Sequence, residues 1–197
     1  MTDSIPTGAS LRRNPFVIDW GNGRTVFYMV CAAYLFFTVV RFAISAYFPE
    51  IGGNADEFTY KGMALSFYKT GDFFQVNYAR KLYLPNYLYS LFLSPAFYSG
   101  ENFYTYIRLI NAILMNLSVF PVFLIAKEFL SAKKAFFVAL VALCIPFFNM
   151  GYVIMAESLY ITVFLFTFYL FYKLWTEDQW RYAVYCGIGG GLLYLSK

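Results

Sequence analysis

The sequence predicts an all-α protein, a polytopic membrane helix bundle of about five spanning helices with an amphipathic surface helix and a re-entrant or interfacial segment. Three observations lead there. Of 197 residues, 60% are hydrophobic and 13% charged, about half the charged fraction of roughly 25% found in soluble domains. Aromatic residues make up 23%, with 24 Phe and 19 Tyr, which suits a surface facing lipid and its interfaces. Apolar runs recur that are long enough to cross the roughly 30 Å hydrocarbon core as helices.

The same counts exclude several functions. With no His in the chain, His-ligated zinc, a Ser-His-Asp triad and any His general base are ruled out. Acid–base chemistry therefore falls to carboxylates, Lys or Tyr. A net charge of +4 without a basic stripe leaves no nucleic-acid footprint. Cys31, Cys144 and Cys186 sit in apolar runs without CxxC spacing, as packing residues rather than disulfide or metal ligands.

In chain order, residues 1–24 read as a polar cytoplasmic tail without the apolar core of a signal peptide. The transmembrane domain is 25–197. Its first span, Thr25–Phe48, is interrupted by one charge, Arg41. The first outer-face loop covers 49–103 and is of mixed charge over 49–82. Within it, 56–70 place Tyr60, Met63, Ala64, Phe67 and Tyr68 at i, i+3, i+4, i+7 and i+8, an amphipathic helix along the membrane surface. Gly71 ends it.

The segment 84–98 holds two prolines, Pro85 and Pro95, around an apolar run too short to span. Charge counting agrees. If this segment does not cross, Arg12, Arg13, Arg24, Lys127, Lys133, Lys134, Lys173 and Arg181 share the cytoplasmic side, against Lys61, Lys69, Arg80 and Lys81 outside. A crossing would invert everything downstream and break the positive-inside rule. Further spans follow at about 104–126, 134–153, 158–175 and from 181 onwards. The last contains Gly187, Gly189, Gly190 and Gly191, which let neighbouring backbones approach closely. The sequon Asn116, Leu117, Ser118 falls inside a span and is no glycosylation site.

Three acids and four cations are candidates for chemistry. Asp56 and Glu57 open the surface helix; they serve either as helix caps, with Asn54 and Glu57 in a capping-box pattern, or as a partly desolvated general base. Asp56 is the candidate base and Glu57 a helper or cap. Glu157 lies among apolar neighbours at the outer end of a span, where a charge must be paired, bind a cation or face water, or else belongs to the N-cap region of that span. Arg108, Arg41, Arg80 and Lys81 lie on the same side and suit phosphate oxygens. Snorkelling towards headgroups is their alternative role. A transporter fits poorly, because only Arg41 lies deep in a span.

The stretches DEFTYKGMALSFYKTGDF, YLPNYLYSLFLSPAF, RLINAILMNLSVFPVFLIAKEFL, MAESLY and GGLLYLSK, in this order and spacing, resemble the N-terminal part of the GT-C glycosyltransferases that use polyprenyl-phosphate sugars. These include the protein O-mannosyltransferases and the lipid A aminoarabinose transferase. The resemblance implies an inverting transfer at the outer or luminal membrane face, from a polyprenyl-phosphate-linked sugar donor to a lipid, glycan or protein acceptor. It implies Asp56 as the first-loop acid, Arg108 near the phosphate, and Glu157 as a second acidic position. Some members use a divalent cation, so Asp56 and Glu157 are candidate ligands for Mg²⁺ or Mn²⁺. Two departures stand out. Tyr83 and Leu84 precede Pro85 where aminoarabinose-type members carry an acid–Lys pair, so Arg80 and Lys81 would substitute. Family enzymes are also two to three times longer, so the chain is expected to be an N-terminal portion working with a C-terminal remainder or partner subunit. The alternative is a short non-catalytic subunit that binds lipid or scaffolds a complex. The expected location is a bacterial inner membrane, N-terminus cytoplasmic.

Overall fold

The computed structural model describes residues 19–47, 55–74, 87–144 and 154–196. Every regular element among them is helical: α1 Gly23–Ala46, α2 Ala55–Thr70, α3 Tyr87–Leu93, a 3₁₀ helix Ser94–Asn102, α4 Phe103–Asn116, α5 Val119–Phe129, α6 Ala132–Cys144, α7 Glu157–Glu177 and α8 Trp180–Ser196. The expected first span is α1. The Asn22 side chain caps it by accepting from the Arg24 amide at 3.0 Å.

Among the described residues three stretches are long and apolar enough to cross a membrane: α1, the run from Tyr87 to Phe129, and α7. The expected spans near 134–153 and from 181 are represented by α6, described as far as Cys144, and by α8. The middle stretch is not one rod. Gly100, at φ 62 and ψ −122, adopts a backbone that glycine reaches without a Cβ penalty. The chain reverses there, stacking Phe97 on Phe103 at 5.1 Å and bringing Tyr89 back to Asn111. The arm Tyr87–Ser99 is about 20 Å long, short of the hydrocarbon thickness. Further on, Pro121 lacks the amide that would bond Leu117 O, and α4 gives way to α5 through a turn in which the Ser118 and Phe120 amides donate to Met115 O and Leu117 O.

Two apolar clusters hold the bundle. One joins Val26, Val30, Val119, Phe123, Phe136 and Leu143 from α1, α5 and α6. The other joins Tyr60, Tyr89, Leu93, Ile107, Leu114 and Leu159 from α2, α3, α4 and α7. Polar side chains stitch the interior: Asn116 Nδ2 donates to Thr38 Oγ1 at 3.2 Å and Thr162 Oγ1 to Leu114 O at 2.8 Å. The sequon asparagine is thus wholly buried.

The charges separate to the ends. At one end Lys133 lies over Trp20, and Lys173 bridges Glu128 at 2.8 Å and Glu177 at 2.9 Å. At the other end lie the C-termini of α1 and α6 and the first turns of α4 and α7. Exposed aromatics mark both levels, with Trp175 and Trp180 at the first end and Tyr47 and Tyr98 at the second, as in the aromatic belts of membrane proteins. Between them Leu35, Phe36, Val39, Phe164 and Phe168 are exposed, as lipid-facing residues would be.

Of the four glycines of α8, Gly189 alone makes the expected close approach: a Cβ there would overlap Thr167 of α7, whereas Gly187, Gly190 and Gly191 face open space.

Candidate active site

The helix predicted over 56–70 runs from Ala55 to Thr70 and ends at Gly71, whose φ is 73 and whose amide donates to Phe67 O at 2.8 Å. Its buried face is rotated from the expected stripe. Tyr60, Met63 and Ala64 are buried, but Glu57 joins them while Tyr68 is exposed. That face packs against α3 and the 3₁₀ helix. The buried side of α2 is thus covered by protein.

This rotation divides the two acids. Asp56 is exposed. Glu57 is 4% exposed, and neither carboxylate oxygen has a hydrogen-bond partner among the described residues. The desolvated carboxylate is therefore Glu57; Asn54, the other half of the capping-box pattern, lies outside the described residues. Burial lifts the Glu57 pKa above the ordinary carboxyl range, and Lys61 partly offsets this. Lys61, one turn on, turns instead to α4: its ammonium donates to Tyr104 Oη at 2.7 Å and lies 5.0 Å from the Phe103 ring and 4.7 Å from that of Tyr104. Beside it a cavity of about 470 Å³ is lined by Phe58, Lys61, Gly62 and Leu65.

The remaining candidates come from distant parts of the chain. Glu157 is the first residue of α7 and half-buried, an acid in a helical first turn as the macrodipole favours. Arg108, in the second turn of α4, is 9% exposed. Tyr60 connects the acids: burial first, then the Asp56 and Glu157 carboxylates, push its phenol up to about 12. Asp56 and Glu157, 101 positions apart, thus act on one hydroxyl that stays protonated. Sequence reading did not single out Tyr60 as a site residue, though its spacing of three and four from the acid pair is the signal that could have. Tyr89, one of 19 tyrosines, gave no such signal.

Arg41 stands apart. It is 7% exposed and donates from Nη2 to Leu143 O at 3.0 Å, near the C-terminus of α6. Because Thr38 is level with Asn116, Arg41 lies roughly 7 Å deeper along the bundle than Arg108, from a rise of about 1.5 Å per residue. Arg80 and Lys81 lie outside the described residues. Among the described residues no three of His, Cys, Asp and Glu form a metal-holding group, and the three cysteines are free.

The profile of the dolichyl-phosphate-mannose-protein mannosyltransferase family matches residues 84–197. The chain belongs to that family. It is accordingly a membrane protein of the GT-C glycosyltransferase superfamily. The mannosyltransferase-family match runs from α3 through α8 and includes Tyr89, Arg108, Asn111 and Glu157, while Arg41, Asp56 and Glu57 precede it. No curated protein and no solved structure matched the chain.

Proposed function

We propose that the protein transfers a sugar, with inversion, from a polyprenyl-phosphate-linked donor to an acceptor at the outer or luminal face of the membrane. The observation that supports this reading is that the N-terminal turns of α2, α4 and α7, which carry the acid pair, Arg108 and Glu157, belong to one end of the bundle, with the pKa of the Tyr60 phenol raised by burial and by both Asp56 and Glu157. Inverting transfer needs a base for the acceptor and positive charge for the leaving phosphate. The acceptor oxygen attacks the anomeric carbon while the carbon–oxygen bond to phosphate breaks on the opposite face of the sugar. The acceptor's proton passes to a carboxylate, assigned to Asp56, and the polyprenyl phosphate leaves as an anion. Arg108 supplies positive charge where that charge develops.

Asp56 and Glu157 are the residues that would hold Mg²⁺ or Mn²⁺, with water or phosphate oxygens completing the shell. The positive-inside bias of the opposite end supports a cytoplasmic N-terminus in a bacterial inner membrane.

The test is release of polyprenyl phosphate from radiolabelled polyprenyl-phosphate-mannose in native membranes, with and without EDTA. Wild type is expected to release it, Asp56→Asn to lose the activity while remaining folded, and EDTA to abolish it until Mg²⁺ is restored. Full activity in Asp56→Asn would sink the assignment of the base.

A further inference from the structure

We propose that Tyr89 is the positioning residue of this site, its side chain tying together the helix ends that carry the acid pair and the arginine. The inference rests on the glycosyl-transfer reading above. Tyr89 is wholly buried, out of reach of substrate, so it acts through the groups it touches. Its hydroxyl donates to Asn111 Oδ1 at 2.8 Å. Its ring meets the edge of Tyr60 with centroids 5.2 Å apart and planes at 89°. One side chain of α3 thus holds α2 through Tyr60 and α4 through Asn111.

Each of those contacts lies within about one turn of a charged site residue. Tyr60 follows Asp56 by four positions and Glu57 by three, and Asn111 follows Arg108 by three. A phenol suits this place because its hydroxyl donates while the ring fills apolar space. With that bond made inside a close-packed core, the hydroxyl has little freedom to shift. Phenylalanine would fill the same space and fix nothing.

Tyr89→Phe keeps the ring against Tyr60 and deletes the hydrogen bond to Asn111. In the donor-turnover assay kcat is expected to fall about 10- to 100-fold, the scale of a misplacement near 1 Å, with donor KM within about twofold and the folded fraction unchanged. A merely structural hydroxyl would lower the melting temperature and leave kcat per folded molecule at the wild-type value, and that result overturns the inference. Should Tyr89→Phe not fold, Asn111→Ser withdraws the acceptor from the Tyr89 hydroxyl while keeping a polar side chain at that buried position. The same loss of kcat is expected there, and wild-type kcat overturns the inference. Wild-type turnover beside an unaffected Tyr89→Phe removes this inference alone, whereas a wild type that releases no polyprenyl phosphate removes it together with the glycosyl-transfer reading.

Discussion

Replacing Glu57 by Leu removes a carboxylate that is 4% exposed, has no hydrogen-bond partner among the described residues, and lies one turn from a lysine that bonds Tyr104 instead. An unsatisfied buried polar group costs about 1–3 kcal/mol, so Glu57→Leu is expected to stabilise the fold by that amount near neutral pH. For a chain of this length that corresponds to a rise in Tm of about 2–12 °C. The sign with pH follows from the direction of the pKa shift. The folded carboxyl titrates above its ordinary value of 4.5, so its stability contribution is fully present below the unfolded pKa and is lost as pH rises through the folded one. The gain from Glu57→Leu should therefore be larger at pH 8 than at pH 4. Thermal unfolding in detergent micelles, followed by tryptophan fluorescence at both pH values, measures it, with donor turnover recorded in parallel. Activity is expected to fall as stability rises, the exchange anticipated where a strained group is retained for function. A lower Tm at both pH values would refute the reasoning, because Glu57 would then be held by a partner that Leu cannot replace.

Two further outcomes follow from the packing. Gly189→Ala drives a Cβ into Thr167, whose hydroxyl is tied to Val163 O at 2.8 Å; it should cost about 1–3 kcal/mol in thermal unfolding, most of it recovered in Gly189→Ala/Thr167→Ala, while Gly187→Ala and Gly191→Ala should be neutral or stabilising. Arg41→Met leaves the Leu143 carbonyl without its guanidinium donor and should cost about 1–3 kcal/mol with donor KM unchanged; a raised KM at unchanged stability would return Arg41 to phosphate binding.

Periodicity and run length were enough for the helices, because a chain this apolar must satisfy its backbone internally wherever it meets lipid. The bounds of α2 and its stop at Gly71 were legible from spacing, and charge bias is what puts Asp56, Glu57, Arg108 and Glu157 on one side of the membrane as candidates. Less legible was which face of α2 turns inward. Adjacent acids on a helix point about 100° apart, and nothing in DEFTYKG says which one the core will take. The apolar stripe favoured Tyr68, whereas the fold buried Glu57. Arg41 shows the same limit. A lone cation in a span reads equally as a phosphate ligand or as a donor to a helix C-terminus 102 positions away, and sequence separation hides that neighbour.

The sequence by itself determined the class of the molecule and its helices, since hydropathy, length and charge are local and additive. Only the tertiary structure decided which acid is desolvated, which glycine is a contact, and that the Tyr89 hydroxyl joins α3 to Asn111 of α4. Those depend on helix rotation and on contacts between residues 22 or more positions apart, which are set when the whole core packs at once and not by any segment alone.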